Sequence, residues 1–428
     1  WEVTQALRKA GRLKDVLTFT PEEQYLLGRG RTLFRETAWD DLKVAHLDLE
    51  TFGLDPATNA IFLIGILMGD GRKIIFEHRK NDERAILRHF AEWIVEEDPD
   101  VLVGYNLVKF DLPFLVARAQ LYRIPLKLGR LGLGHRTFET RLKVGERVIP
   151  FTAFQVPGRS VVDAYHLTQR YNATVRLSLP SDSQKEWARA LQVAPKDRVY
   201  IDGDKIGPRW LAGDRDGVRE YNAHDLEEAR AITRLLVGPY IGLAQGVPTL
   251  LDTLTRSGPS KAIDLLMVRG YLDAGEAVPR PAEKKGPFQG GLTGLHSIGL
   301  VKPVAKLDVS SMYPGIMLSR NITPPGDTLG LFLGILQELR ALRLQHKTLA
   351  KQAPAGSRLQ LYHDSFQGAV KILINAFFGY LGTSFALFNG PDQAAEVTRT
   401  GREILAVITG ELETRGARLV ESDTDGVY

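Results

Sequence analysis

Cysteine is absent from the 428-residue chain. That excludes a disulfide framework, a thiolate zinc site, an iron–sulfur cluster and a cysteine nucleophile. Long apolar runs are missing too. The longest, Ile61 to Gly69 and Leu329 to Leu336, fall far short of the ~20 residues a membrane-spanning helix needs, and no membrane association is expected. The chain opens at Trp1 without a charged-then-apolar export signal, and it carries no internal repeat or low-complexity tract. Charge of one sign does not dominate either. Against 51 Asp and Glu stand 55 Lys and Arg, a net +4 with a pI near 9.0, which permits a polyanionic partner without demanding one. What remains, 44% hydrophobic and 25% charged, is ordinary globular composition. At ~150 residues per domain it makes roughly three domains.

Residues 1–42 are polar and Arg-rich, an N-terminal stub with one helix-start pattern at Thr20-Pro21-Glu22-Glu23. Val44 to Glu50, Ile61 to Met68 and Lys73 to Glu77 then read as strands. Asn81 or Asp82 caps a helix to about Glu97, whose Ile86, Phe90 and Ile94 share a face. A strand at Val101 to Tyr105 and a helix at Asp111 to Tyr122 follow. An antiparallel meander feeding a crossover is the order of a ribonuclease H-like domain, so the chain is expected to be mixed α/β. Residues 123 to 160 read as loops with a hairpin, Ser160 to His166 as a strand, and Arg219 to Leu236 as a strong helix. The Pro- and Lys-rich stretch Val278 to Phe288 is the best linker candidate. Beyond it come a strand at Val304 to Val309 and helices from about Leu336 to Lys351, Ser365 to Gly379 and Gln393 to Arg415. A final strand lies near Arg418 to Glu421.

Asp48 and Glu50 sit two apart on the first strand, and a period of two aims both at one face. Carboxylates forced together repel unless a cation neutralises them, and hard oxygen ligands suit Mg²⁺ or Mn²⁺. Alone, Asp-x-Glu is an ordinary solvated sheet edge; the surroundings change that. Asn106 and Asp111 follow the fourth strand, and Tyr221 and Asp225 lie four apart on one helix face. Such an acidic cluster can hold two metals ~4 Å apart, one sharpening a water into a nucleophile and the other stabilising the leaving oxygen. Tyr221 is placed to orient that water.

Asp48-x-Glu50, Asn106-x3-Phe110-Asp111 and Tyr221-x3-Asp225, in this order, resemble the three motifs of the DEDDy 3′–5′ exonucleases, the proofreading domains of family B DNA polymerases. The resemblance implies that Asp48, Glu50, Asp111 and Asp225 bind metal and that Tyr221 serves the chemistry. It places Asn106 and Phe110 against the substrate. Asp163, between the second and third motifs, is expected to be structural.

A second carboxylate set follows two further apolar strands: Asp308, opening Asp308-Val309-Ser310-Ser311-Met312-Tyr313-Pro314, and Ser422-Asp423-Thr424-Asp425-Gly426. An Asp-Thr-Asp-Gly turn alone is an ordinary hairpin. Paired with a strand-end Asp it offers a second two-metal site on adjacent strands, the arrangement phosphoryl transfer needs. A tetra-anionic substrate also needs cations opposite. Arg343 and Lys347 lie four apart on one helix, and Lys371, Asn375 and Phe378 share a face of the next. Because the run around Lys371 is otherwise apolar, Lys371 is expected on a buried side, where it requires an anion.

These segments resemble family B DNA polymerases again. Asp308 to Pro314 looks like motif A, whose Asp binds both metals, whose following backbone at Ser311 and Met312 cradles the triphosphate, and whose Tyr313 stacks on the sugar and excludes a 2′-hydroxyl. Lys371-x3-Asn375-x2-Phe378-Gly379 looks like motif B, and the fingers cations carry over to Arg343, Lys347 and Lys371. Asp423-Thr424-Asp425 looks like motif C, with Asp425 the direct ligand and Asp423 beside it. Phe288-Gln289-Gly290-Gly291 resembles the aromatic-x-Gly-Gly segment between the two modules.

The implied division is an exonuclease domain over 43–240, a helical connector and linker over 241–290, a palm in two parts (291–328 and 383–428) and fingers over 329–382. The implied function is template-directed addition of deoxynucleotides to a primer 3′-hydroxyl with 3′–5′ editing, two Mg²⁺ or Mn²⁺ ions serving each site. Primer-template DNA and deoxynucleoside triphosphates are the implied partners, and a sliding clamp or other replication factors are admitted. The implied location is intracellular: cytoplasmic and nucleoid-associated if the source is prokaryotic. The short interval between Asp308 and Lys371 favours a nucleic-acid primer over a protein one. Two rivals are a nuclease whose polymerase half is only a DNA-holding platform, and a non-catalytic scaffold, against which two complete acid sets speak. Four departures stand out: no large N-terminal domain, Phe378 and Ala376 in place of the usual Tyr and Ser, Glu421 where an aromatic is common, and no thumb. Since a chain ending beside its own catalytic turn would leave a sheet edge open, a longer parent protein is expected.

Overall fold

The computed structural model describes residues 2–12, 16–77, 82–144, 147–282 and 289–428. Ahead of the first sheet lie α1 (Glu2–Lys9) and α2 (Pro21–Arg29). The latter is capped as the sequence indicates, Thr20 Oγ1 accepting the Glu23 N–H at 3.3 Å. The sheet itself is built from β1 (Val44–Thr51), β2 (Ile61–Met68), β3 (Lys73–Glu77), β4 (Val101–Gly104) and β7 (Ser160–Asp163), in the order β3-β2-β1-β4-β7. β1, β2 and β3 pair antiparallel, whereas β4 runs parallel to β1 and β7 parallel to β4. This is the ribonuclease H-like order expected. α3 (Glu83–Glu97) and α4 (Asp111–Leu121) cover one face. There Ala45, Leu47 and Leu49 meet Ile86, Phe90, Ile94 and Leu115. The cap of α3 is Asp82, which accepts the Ala85 N–H; Asn81 lies outside the described residues. β2 is buried along its whole length, as its unbroken apolar run requires.

The other face takes α5 (Ala164–Val175), α6 (Gln184–Ala190), α7 (Gly203–Leu211) and α8 (Arg215–Leu236). Val44, Val101, Val103 and Val162 pack there against Leu167, Ile232 and Leu236. An antiparallel hairpin of two nine-residue strands, β5 (Arg136–Val144) and β6 (Arg147–Gln155), lies between β4 and β7 in sequence. The strand expected through His166 stops at Asp163, because that carboxylate caps the following helix by accepting the Tyr165 N–H at 3.0 Å. Tyr165 and His166 are therefore helical.

α9 (Gly238–Gly246), α10 (Leu251–Arg256) and α11 (Pro259–Asp273) lead to a second core. It is shared with α12 (Met312–Ser319), α13 (Leu331–Gln352), α14 (Arg358–Gly382) and α15 (Pro391–Thr414). Beside it β8 (Thr293–Leu295), β9 (Leu307–Asp308), β10 (Glu421–Asp423) and β11 (Gly426–Val427) form a small antiparallel sheet in the order β8-β10-β11-β9. β9 is shorter than the Val304 to Val309 expected, since its partner β11 offers only Gly426 and Val427 to pair with. The last strands start later than Arg418 because β10 pairs with the three residues of β8. Of the linker candidate, 278–282 has no helix or strand and 283–288 lies outside the described residues.

Candidate functional site

Alternation along β1 points Ala45, Leu47 and Leu49 into the core under α3 and α4, which leaves Asp48 and Glu50 on the α8 side. Tyr221 and Asp225 come from one face of α8. Carboxylate oxygens of Asp48, Glu50 and Asp225 all lie within 4.8 Å of one another, the only such three-ligand group of acids or histidines among the described residues. Glu50 and Asp225 are buried. Burial, and then mutual repulsion, raises Asp48 and Glu50 well above the usual carboxylate range. Asp225 rises by burial to about 6, held back by Arg198 and Lys185. Three crowded carboxylates with raised proton affinity lack positive charge, and an oxygen-only donor set fits Mg²⁺ or Mn²⁺.

Asp111 stands at the first turn of α4 and is not one of the three. Its Oδ1 accepts the Leu49 N–H at 3.2 Å, and burial, followed by the charge of Asp163, raises it to about 8. Asp163 is bound to backbone, accepting N–H from Asn106 at 2.8 Å and Val108 at 3.1 Å. Asn106 itself takes a left-handed φ of 67° and lines a cleft of about 380 Å³ with Tyr105, Lys109, Phe151 and Tyr165. Phe110 is half-buried, its ring 5.4 Å from that of Phe114.

Three groups at this site escaped the sequence reading. Lys185 Nζ donates to Tyr221 Oη at 2.8 Å and lies 4.6 Å from the ring centroid. Arg198 bonds Asp225 and, at 2.8 Å, Glu228. Asn222 Nδ2 donates to Asp48 Oδ2 at 2.6 Å, while its buried Oδ1 has no partner. Asn222 fits only because Gly65 lies opposite Asp48 on β2. A Cβ at residue 65 would overlap Asn222 Oδ1 and come within 3.0 Å of Leu226. Asn222 was legible in principle, three residues before Asp225 on the same helix; Lys185 sits in the first turn of the short α6 and Arg198 in the irregular segment before α7, neither with a pattern that points to the site.

In the second set, Asp308 ends β9 opposite Gly426 of β11, and Gly426 pairs with Asp423 of β10 across a tight turn. Thr424 takes a left-handed φ of 55° in that turn, and Asp425 O accepts the Val309 N–H at 2.8 Å. Asp308 and Asp425 thus stand on adjacent strand ends. Asp308 is half-open to solvent, with Lys306 Nζ 3.8 Å from Oδ2. Burial, and then Asp308, raises Asp425. Ser311 turns the chain at φ 55° into α12, where Met312 is buried. The Tyr313 ring lies 4.4 Å from that of Phe378, and a Cβ at Gly291 would come 2.6 Å from Tyr313 Oη. Phe288 lies outside the described residues.

Arg343 and Lys347 project from α13, and Arg343 Nε is buried without a hydrogen-bond partner. Lys371, Asn375 and Phe378 share a face of α14, but not a buried one. Lys371 and Asn375 are exposed and Phe378 half-buried. Leu373, Ile374, Phe377 and Tyr380 fill the core instead, so Lys371 needs no anion to be accommodated. Ala376 is half-buried and Glu421 exposed.

Two family models match: DNA polymerase family B, exonuclease domain, over residues 63–182, and DNA polymerase family B over residues 325–425. The first interval contains Asn106, Phe110 and Asp111; the second contains Arg343, Lys347, Lys371, Asn375, Phe378, Asp423 and Asp425. A DNA polymerase of Archaeoglobus fulgidus is 28% identical over 417 residues, covering 91% of this chain and 50% of that protein. One from Pyrococcus glycovorans is 27% identical, covering 95% and 55%. The fold matches the family B DNA polymerase of Pyrobaculum calidifontis with a TM-score of 0.77 at 24% identity, over 96% of this chain and 59% of that one. The chain therefore spans about half the length of the relatives it matches. No described helix is long and apolar enough to cross a membrane. With both family models matched in order along it, the chain belongs to the family B DNA polymerases.

Proposed function

We propose that the protein extends a DNA primer on a template and trims the primer's 3′ end at a separate site. The exonuclease unit is 43–240; a palm split between 291–328 and 383–428 carries the synthetic acids, with fingers at 329–382 between. The observation that carries this reading is the β9–β11 register, which pairs Asp308 with Gly426, the residue after Asp425, in the same molecule as the Asp48, Glu50 and Asp225 cluster. Asp308 and Asp425, with Asp423 adjacent, hold divalent ions at one site; Asp48, Glu50, Asp111 and Asp225 do so at the other. When bound, such ions supply nucleophile activation and charge neutralisation at the leaving oxygen.

The chain's own groups do the rest. Lys185 donates to Tyr221 Oη, so the phenol's proton is left for an acceptor in the cluster or for the attacking water, which it orients. Tyr313, its ring tilted against that of Phe378, closes the sugar side of the nucleotide site. Arg343, Lys347 and Lys371 receive the triphosphate from two neighbouring helices, with Asn375 beside them, while Ser311 and Met312 present backbone from the turn into α12. Asn106 and Phe110 border the trimmed strand. A second reading, a nuclease with a DNA-holding platform, is favoured by the closer gathering of the first acid set.

Primer extension with the full-length gene product in Mg²⁺ decides. Asp308→Ala and Asp425→Ala should each lower extension by about three orders of magnitude, the size of several kcal/mol of lost metal-assisted stabilisation, with single-strand degradation unchanged. Asp48→Ala with Glu50→Ala should do the reverse. Wild-type protein that degrades but never extends establishes the platform reading.

A further inference from the structure

Away from both acid sets, α13 and α14 form a helical hairpin that brings two imidazoles together. His346 Nδ1 and His363 Nδ1 are 3.1 Å apart, with ring centroids 4.9 Å apart and planes at 76°. His363 is 8% exposed. His346 is half-buried and stacked on Phe366 at 4.1 Å. Among the described residues neither ring has another hydrogen-bond partner. The two Nδ1 atoms face each other, so one must donate to the other, or both must turn their lone pairs to a common acid.

The separation is informative. Two imidazoles on one ion, at about 2.0–2.1 Å each and a ligand angle near ~100°, place their nitrogens about 3.1 Å apart. Both rings need only the tautomer with its proton on Nε2 for the two Nδ1 lone pairs to converge. Imidazole donors suit Zn²⁺, Ni²⁺ and Cu²⁺, whereas Mg²⁺ prefers oxygen. We propose that His346 and His363 form a bidentate site for one imidazole-preferring transition-metal ion, with solvent completing the coordination, and that the ion clasps α13 to α14. The clasp stands one turn from Arg343 and next to Lys347, on the two helices that also carry Lys371. Loading it stiffens that hairpin without touching either acid set.

The test holds the protein in saturating Mg²⁺, which occupies the carboxylates, and titrates Ni²⁺ by calorimetry. One Ni²⁺ should bind per chain and raise Tm. His346→Gln and His363→Gln should each weaken that binding by about tenfold or more, since even loss of outer-sphere support costs that much. Since His346 also packs on Phe366, a variant could fail to fold. The Cu²⁺-loaded wild type then decides by electron paramagnetic resonance, with hyperfine coupling from two imidazole nitrogens expected. No saturable Ni²⁺ binding, unchanged affinity in both variants, or a Cu²⁺ spectrum with oxygen ligands alone overturns the site.

Discussion

The two acid sets sit in opposite surroundings. Asp48, Glu50 and Asp225 are enclosed between β1 and α8, tied to Asn222 and Arg198, and carry raised proton affinities. Asp308 and Asp423 stand exposed on the ends of short strands beside a half-buried Asp425. An enclosed cluster has its geometry set by folding and is electrostatically incomplete alone, whereas a half-open one is solvated and costs the fold little. Perturbing the first should therefore change stability as well as activity, downward where packing is disturbed and upward at neutral pH where a carboxylate is neutralised, and perturbing the second should cost activity alone.

The largest expected effect on stability is at Gly65. Gly65→Ala drives a methyl into Asn222, which must leave Asp48, and overpacking of this kind costs about 1–3 kcal/mol. Chemical denaturation should show that loss together with impaired strand degradation. A variant that melts with wild type and still degrades contradicts the close fit of β2 to α8.

A smaller effect is electrostatic. Asp48, Glu50, Asp111 and Asp225 have folded-state affinities raised above the unfolded carboxylate range, Asp225 to about 6 and Asp111 to about 8. Groups raised in this way favour the fold below their unfolded pKa, and that contribution is lost as pH rises through the folded values. In chelator, Tm should thus fall between about pH 5 and 8 more steeply for wild type than for Asp48→Asn. The wild type should lose more stability than the variant across that window, each tenfold change in a carboxylate's proton affinity on folding being worth about 1.4 kcal/mol. Mn²⁺ should remove most of that difference. Parallel melting curves for the two proteins would show that the crowding is relieved in solution without metal.

Least of all should be the stability effect of Lys371→Ala: within about 0.5 kcal/mol, as for other surface substitutions. Loss of a charged phosphate contact worth about 1.5–3 kcal/mol should nonetheless raise the KM for nucleotide roughly tenfold or more. A normal KM removes Lys371 from the nucleotide site.

Much of this was legible locally. The alternation of β1 sends Asp48 and Glu50 to one face, the unbroken run of β2 makes it a central strand, and a spacing of four puts Tyr221 and Asp225 together on α8. Each depends on a period that neighbouring residues set among themselves. Reading α14 failed for a related reason. Its sequence is apolar on more than one side, so the pattern alone does not choose the face that packs. α9, α11, α13 and α15 chose it and left Lys371 outside.

Residue order by itself determined the strands of the first sheet up to β4, the helices α3, α4 and α8 and the spacing of the two sets of acids, because periodicity and turn chemistry act over a few neighbours. Tertiary structure alone decided which charges meet. Lys185 reaches Tyr221, Arg198 clamps Asp225, Gly65 makes room for Asn222, and His346 finds His363, because packing brings distant segments within contact range and no local pattern encodes such distances.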